Sequence, residues 1–156
     1  MLSFKDGVRW KKAGFMKEGD LVASPAEIGF ESEKEYSEDD AYFLGLFVAE
    51  GGSNPFGITT GSNVLKDWIL RYVKERFGYE ASVRKDNRRE NEVYTVILRD
   101  KTRKMMQGLD RCKAGDKFVP EAVFLSDVGV INSFLGGYFD GDAEVSETNI
   151  SVTTKS

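Results

Sequence analysis

The sequence predicts an α+β fold, and three observations carry that expectation. Two apolar runs of helical length, AYFLGLFVAE and FLGGYFDGDA, each hold internal glycine and carry acid at or next to their end. A short strand-like piece follows each run, ending in ITTGS after the first and VTTKS after the second. Between the two runs, ASVRK and EVYTVILR flank the polar turn DNRREN, a hairpin signature with arginines near its tip.

The elements follow in chain order. Residues 1–30 are turn-rich; KDG, KEGD and SPAE separate brief apolar pieces such as VRW and LVAS, which predict small strands. The acidic run ESEKEYSEDD supplies a linker over 31–37 and then a helix start. Ser37 and Asp40, three apart, form a capping-box signature for a helix over 38–50, which GGSNP ends. FGITT predicts a strand, and Ser62 or Asn63 caps the next helix. There Val64, Leu65, Trp68, Ile69, Tyr72, Val73 and Phe77 repeat at the helical period and predict a core-facing stripe, with Gly78 as the stop. After the hairpin, KTRKMMQGLDRC predicts a short helix, and KAGDKFVPEAVFLSD reads as irregular around an AGD turn and Pro120. Ser126 or Asp127 caps a second apolar helix over about 127–141, and ETNISVTTKS gives a last strand.

Composition narrows the chemistry. The 156 residues include no histidine and one cysteine, Cys112, so neither an internal disulfide nor a Cys/His metal box is available. Carboxylate, lysine, arginine and hydroxyl groups remain. The apolar runs fall short of the ~20 residues a membrane crossing needs. MLSFKDGVRWKK has no apolar signal-peptide core, so a soluble, cytoplasmic protein with no membrane partner is expected. The net charge of −4 hides a segregation. Residues 61–117 hold 15 basic and 9 acidic side chains, whereas 1–60 hold 6 and 11 and 118–156 hold 1 and 6. That pattern suggests one cationic face.

The two apolar runs echo each other: Gly45 and Gly137 are 92 residues apart, as are Glu50 and Asp142. A glycine inside a helix costs ~1 kcal/mol relative to alanine, and it is tolerated where two backbones must come close. The paired spacing predicts two helices packed through their glycine faces. Each acid sits at the negative end of its helix, an unfavourable placement by ~0.3–1 kcal/mol. Parallel packing adds like-charge repulsion between Glu50 and Asp142, so a cation is expected there. With oxygen ligands only, Mg2+ is the natural candidate, with Mn2+ as its substitute.

FLGLFVAEG and LGGYFDGDA resemble the two motif copies of the LAGLIDADG homing endonucleases, in particular those inserted in inteins. DKFVPEAVF, between them, is similar to the lysine-and-proline motif of that kind, and WKKAGFMKEGDLVASP resembles the end of the first half of an intein splicing domain. The resemblance implies a saddle-shaped antiparallel sheet with two packed motif helices. It divides the chain into a splicing-domain end over 1–30, a linker over 31–37, a first repeat over 38–126 and the start of a second over 127–156.

The resemblance further implies a site-specific endonuclease that hydrolyses both strands of duplex DNA, or an inactive DNA-binding or RNA-maturase derivative of one. Glu50 and Asp142 would be metal ligands and catalytic, and Lys117 catalytic. Arg84, Lys85, Arg88, Arg89, Arg99, Thr59, Thr60, Thr153 and Thr154 would be available to DNA. The sequence departs from the family pattern at Val48, at Glu50 where aspartate is usual, and at Ala143 where glycine is usual. Glu50 is followed by 67 residues up to Lys117, but Asp142 by only 14 in all. The second repeat is therefore expected to be incomplete, with a homodimer or a further C-terminal segment completing the saddle.

Overall fold

The computed structural model describes residues 2–3, 9–10, 12–20, 36–86, 92–146 and 148–152. The chain separates into two compact units, Met1–Phe30 and Glu31–Ser156. In the first, strands β1 (Leu2–Ser3) and β2 (Arg9–Trp10) pair antiparallel. A 3-10 turn spans Ala13–Phe15, and KEGD forms a turn in which the Asp20 amide donates to the Lys17 carbonyl at 3.0 Å. Gly19 occupies that turn at φ 87°, which glycine adopts without strain. The expected strand around LVAS lies outside the described residues.

The second unit is an α+β assembly. Helix α1 spans Glu38–Glu50, followed by β3 (Gly51–Ser53), β4 (Phe56–Thr60), α2 (Asn63–Phe77), β5 (Ser82–Asp86) and β6 (Val93–Ile97). Short helices α3 (Asp100–Arg103) and α4 (Glu121–Phe124) lead to α5 (Val128–Asp142), then β7 (Glu144–Val145) and β8 (Ile150–Ser151). The main sheet is antiparallel in the order β3-β4-β6-β5. β7 and β8 form a separate antiparallel pair.

Local chemistry fixes the helix starts. Ser37 accepts from the Asp40 amide at 3.1 Å while the Asp40 carboxylate accepts from the Ser37 amide, a complete capping box. Ser62 accepts from Leu65 and Asp127 from Val130, and Gly78 closes α2 in the left-handed conformation at φ 68°. Asp40 is buried, yet it accepts from Arg76 at 2.9 Å and from the Tyr72 hydroxyl at 2.5 Å. Burial opposes its ionisation; the hydrogen bonds from Arg76, Tyr72 and Ser37 outweigh that and hold its pKa below the ordinary value.

Helix α1 is buried on two sides. Phe43 and Phe47, 0% and 1% exposed, pack on Tyr72 of α2 and Phe56 of β4, with ring centroids 4.7 and 5.7 Å apart. Each such ring contributes on the order of 1.5–3 kcal/mol. The opposite side of α1 meets α5 through glycine. A Cβ on Gly45 would overlap the Phe134 carbonyl oxygen and stand 2.8 Å from the Tyr138 amide. A Cβ on Gly137 would overlap the Tyr42 carbonyl and stand 3.1 Å from the Leu46 amide. Gly129 faces Glu38 near the helix starts and Gly141 faces Ala49 near the ends, so the two helices run parallel.

Several elements differ from the sequence expectation, among them a helical turn at Glu121–Phe124 in the run read as irregular and a short strand at Glu144–Val145. KTRKMMQGLDRC yields only three α-helical residues, Lys101–Arg103 at the end of α3; Gln107 (φ 48°) and Gly108 (φ 99°) then turn the chain before a 3-10 turn over Leu109–Arg111. GGSNP does more than end α1: Gly51 to Ser53 pair with β4, with Gly51 opposite Ile58. Val64, expected in the core stripe, is 79% exposed in the first turn of α2.

Gly45→Ala and Gly137→Ala are each expected to destabilise the protein by about 1–3 kcal/mol, the cost of forcing a methyl into packed backbone. Gly136→Ala serves as control, since its Cβ meets only the Tyr42 ring at 3.8 Å. Urea unfolding of the three variants measures the difference.

Candidate functional site

Glu50 is the last residue of α1 and Asp142 the last of α5. Because the helices are parallel and close, these ends lie side by side; a Cβ on Gly141 would sit 3.5 Å from Glu50 Cγ. Neither last turn carries a basic residue of its own.

Lys117 supplies the cation from another element. Its Nζ donates to the carbonyl oxygens of Phe47 (3.0 Å), Val48 (2.9 Å) and Gly51 (2.8 Å). These are carbonyls at the C-terminal end of α1, where the helix leaves acceptors unsatisfied and its dipole is negative. The ammonium therefore caps α1 with all three of its protons. Burial pushes its pKa below the ordinary lysine value, while Asp142 and Glu50 act to raise it, so both carboxylates bear on this one group. Tyr42, in the first half of α1, donates to the Asp140 carboxylate near the end of α5 at 2.5 Å and ties the two helices together.

Beside the lysine, a cavity of about 260 Å³ is lined by Val48, Lys117, Phe118, Val119, Phe134, Leu135 and Tyr138. Glu50, Asp142 and Lys117 thus come together from three separate segments. Among the described residues there is no cluster of three or more Asp, Glu, Cys or His side chains suited to a metal. Glu50 and Asp142 are two carboxylates, fewer than such a cluster. One or two carboxylates are what Mg2+ takes when phosphate oxygens and waters fill the rest of its shell.

The strand register sorts the remaining candidates. Paired residues share a face of the sheet. Ile58 and Val96 are opposite each other and buried against the helices. Thr59 lies opposite Thr95, which lies opposite Arg84, and this row occupies the other face. The two threonine hydroxyls are 3.1 Å apart, and Arg84 is exposed. Thr60 and Lys85 flank Tyr94 on the Ile58 side, where Lys85 pairs with Glu92 and the Thr60 hydroxyl accepts from Ser62. Arg99 stacks over the Tyr79 ring at 5.2 Å. Arg88, Arg89, Thr153 and Thr154 lie outside the described residues. Sequence reasoning missed Thr95, because only the register sets it between Thr59 and Arg84. It also missed Lys66, whose Nζ sits 4.5 Å over the Tyr94 ring.

No family model matches the chain. The chain is similar to Replication factor C small subunit of Methanocaldococcus jannaschii, at 29% identity over 167 residues covering all of this chain. The match spans 9% of that relative's length. This finding corrects the activity implied by the motif resemblance: the similar protein bears the name of a replication factor subunit, so the reading as a homing endonuclease cutting both DNA strands is set aside. The described residues contain no helix long and apolar enough to cross a membrane.

Lys117→Met keeps the aliphatic stem and removes the three charged hydrogen bonds. It is expected to lower stability by about 2 kcal/mol or more, since hydrogen bonds to charged groups contribute ~1.5–3 kcal/mol. Thermal or urea unfolding checks this, and amide exchange should speed up at the C-terminal end of α1 before it does elsewhere.

Proposed function

We propose that the second unit is a duplex-DNA-binding module of LAGLIDADG architecture, with the Thr59–Thr95–Arg84 face of the sheet turned to the DNA. The observation that carries this reading is that row. It sets two hydroxyls and an exposed guanidinium side by side on the face away from the buried Ile58 and Val96. Hydroxyls and guanidinium groups are donors suited to phosphate oxygens and to the edges of bases in the major groove. The surplus of basic over acidic residues between 61 and 117 supports it, because that stretch includes β5 and β6. The reciprocal glycine contact between α1 and α5 supports the architectural part.

A DNA role also accords with the similarity to a replication factor subunit. The short share of that relative's length covered here fits a module carried within a longer polypeptide, as the intein resemblance implies. Glu50 and Asp142 would hold Mg2+, or Mn2+ in its place, jointly with DNA phosphate; bound there, the ion would supply positive charge where the backbone approaches the helix ends. Lys117 then acts as the fixed cation that keeps both acids in place, with or without the ion.

The test is fluorescence anisotropy with a labelled 30-base-pair duplex across a salt series. Affinity should fall steeply and log-linearly with salt, reflecting release of counterions from the phosphates. Arg84→Ala should weaken binding and reduce the salt slope by roughly 1 if it contacts a phosphate. Lys85→Ala should matter less, since that lysine is already paired with Glu92. Absence of duplex binding at low salt, or an unchanged affinity in Arg84→Ala, would overturn the assignment.

A further inference from the structure

The main sheet leaves one side of its outer strand open. β5 comes last in the order β3-β4-β6-β5, and among the described residues no strand pairs with its outer edge. The register shows which backbone groups that edge offers. Phe56 stands opposite Leu98 in the β4–β6 pairing, and the Leu98 amide donates to the Phe56 carbonyl at 2.9 Å. In an antiparallel ladder, hydrogen-bonded pairs alternate with non-bonded ones. Val96 and Tyr94 therefore turn their backbone groups to β4, and Ile97, Thr95 and Val93 turn theirs to β5. Ser82, Arg84 and Asp86 bond to β6, so Val83 and Lys85 each present an amide and a carbonyl outward. Two residues on an edge strand is the spacing at which another extended chain forms its bonds.

A groove runs beside this edge. Val83 lies opposite Val96, which lies opposite Ile58, so its side chain is on the face where α2 packs. There a cavity of about 340 Å³ is lined by Leu70, Arg71, Lys74, Glu80, Ala81 and Val83. Its floor is apolar and incompletely covered: Val83 is 41% exposed, while Leu70 and Ala81 are half-buried.

The rim of the groove is cationic. Lys74 is matched by Glu80 at 2.7 Å, and Lys85 by Glu92. Arg71 is exposed and has no ion-pair partner among the described residues. The lining therefore carries an unmatched positive charge beside an apolar floor and a row of outward peptide groups.

We propose that the β5 edge and the groove beside α2 bind an extended acidic segment of a partner protein, added antiparallel as a further strand. Its residue opposite Val83 exchanges both backbone hydrogen bonds with Val83 and sends a large aliphatic side chain into the cavity. Its neighbours two positions away lie on the same face, and a carboxylate there meets Arg71. Main-chain bonds supply affinity in this mode, and the pocket and charge supply selectivity. The Thr59–Thr95–Arg84 row occupies the opposite face of the sheet, so the inference is independent of DNA binding.

The test is fluorescence anisotropy of the full chain with a labelled heptapeptide of alternating threonine and glutamate, leucine replacing the central glutamate. Binding should saturate. Methylating the peptide's leucine nitrogen removes the donor to Val83 and should weaken binding about tenfold or more. Arg71→Glu should weaken it by about as much. Val83→Pro should abolish binding and still fold, because the amide it removes faces away from β6; an unchanged urea midpoint reports that. No binding at low salt, or equal affinity for the methylated and unmethylated peptides, would overturn the proposal. So would sedimentation showing a dimer that Val83→Pro dissociates, because the occupant is then a second copy.

Discussion

The structure depends on one contact, the backbone-to-backbone approach of α1 and α5 at Gly45 and Gly137. Without a Cβ at either position, the carbonyl of one helix enters the space that a side chain would fill on the other. The helix-propensity penalty of ~1 kcal/mol per glycine is offset by the packing that this closeness permits. It also explains why α1 is apolar almost all round: one side faces the sheet and α2, the other faces α5.

That contact creates an electrostatic problem and places its solution. Parallel helices bring two negative dipole ends together, and each ends in a carboxylate. Lys117 resolves this from outside either helix, by binding three carbonyls of α1 under the influence of both acids. The acids at an unfavourable pole, puzzling in isolation, belong to a cluster with a resident cation.

Much of this was legible in the sequence because it rests on local signals. The Ser37–Asp40 box, the Ser62 and Asp127 caps and the Gly78 stop appear where short-range chemistry predicts them. The glycine-to-acid spacing announced the helix pair because a repeat shows twice what one copy leaves ambiguous. The rest depends on contacts distant in sequence. Lys117 is 69 residues from Val48, and nothing local marks it as the cap of α1. Thr59 and Lys85 look equally suited to nucleic acid until strand register sends them to opposite faces. β3 escaped notice because two glycines and a serine show no alternation of apolar and polar residues. The activity inferred from motif resemblance was the part least tied to local physics, and comparison with a replication factor subunit redirected it.

The central claim is that the acid-bearing ends of α1 and α5 meet in one place. The most direct measurement is spin labelling at both ends, with Glu50→Cys and Asp142→Cys in a Cys112→Ser background. The account predicts strong dipolar broadening in the doubly labelled protein relative to the two single labels. A double-label spectrum equal to the sum of the single-label spectra, from a folded protein, would contradict it.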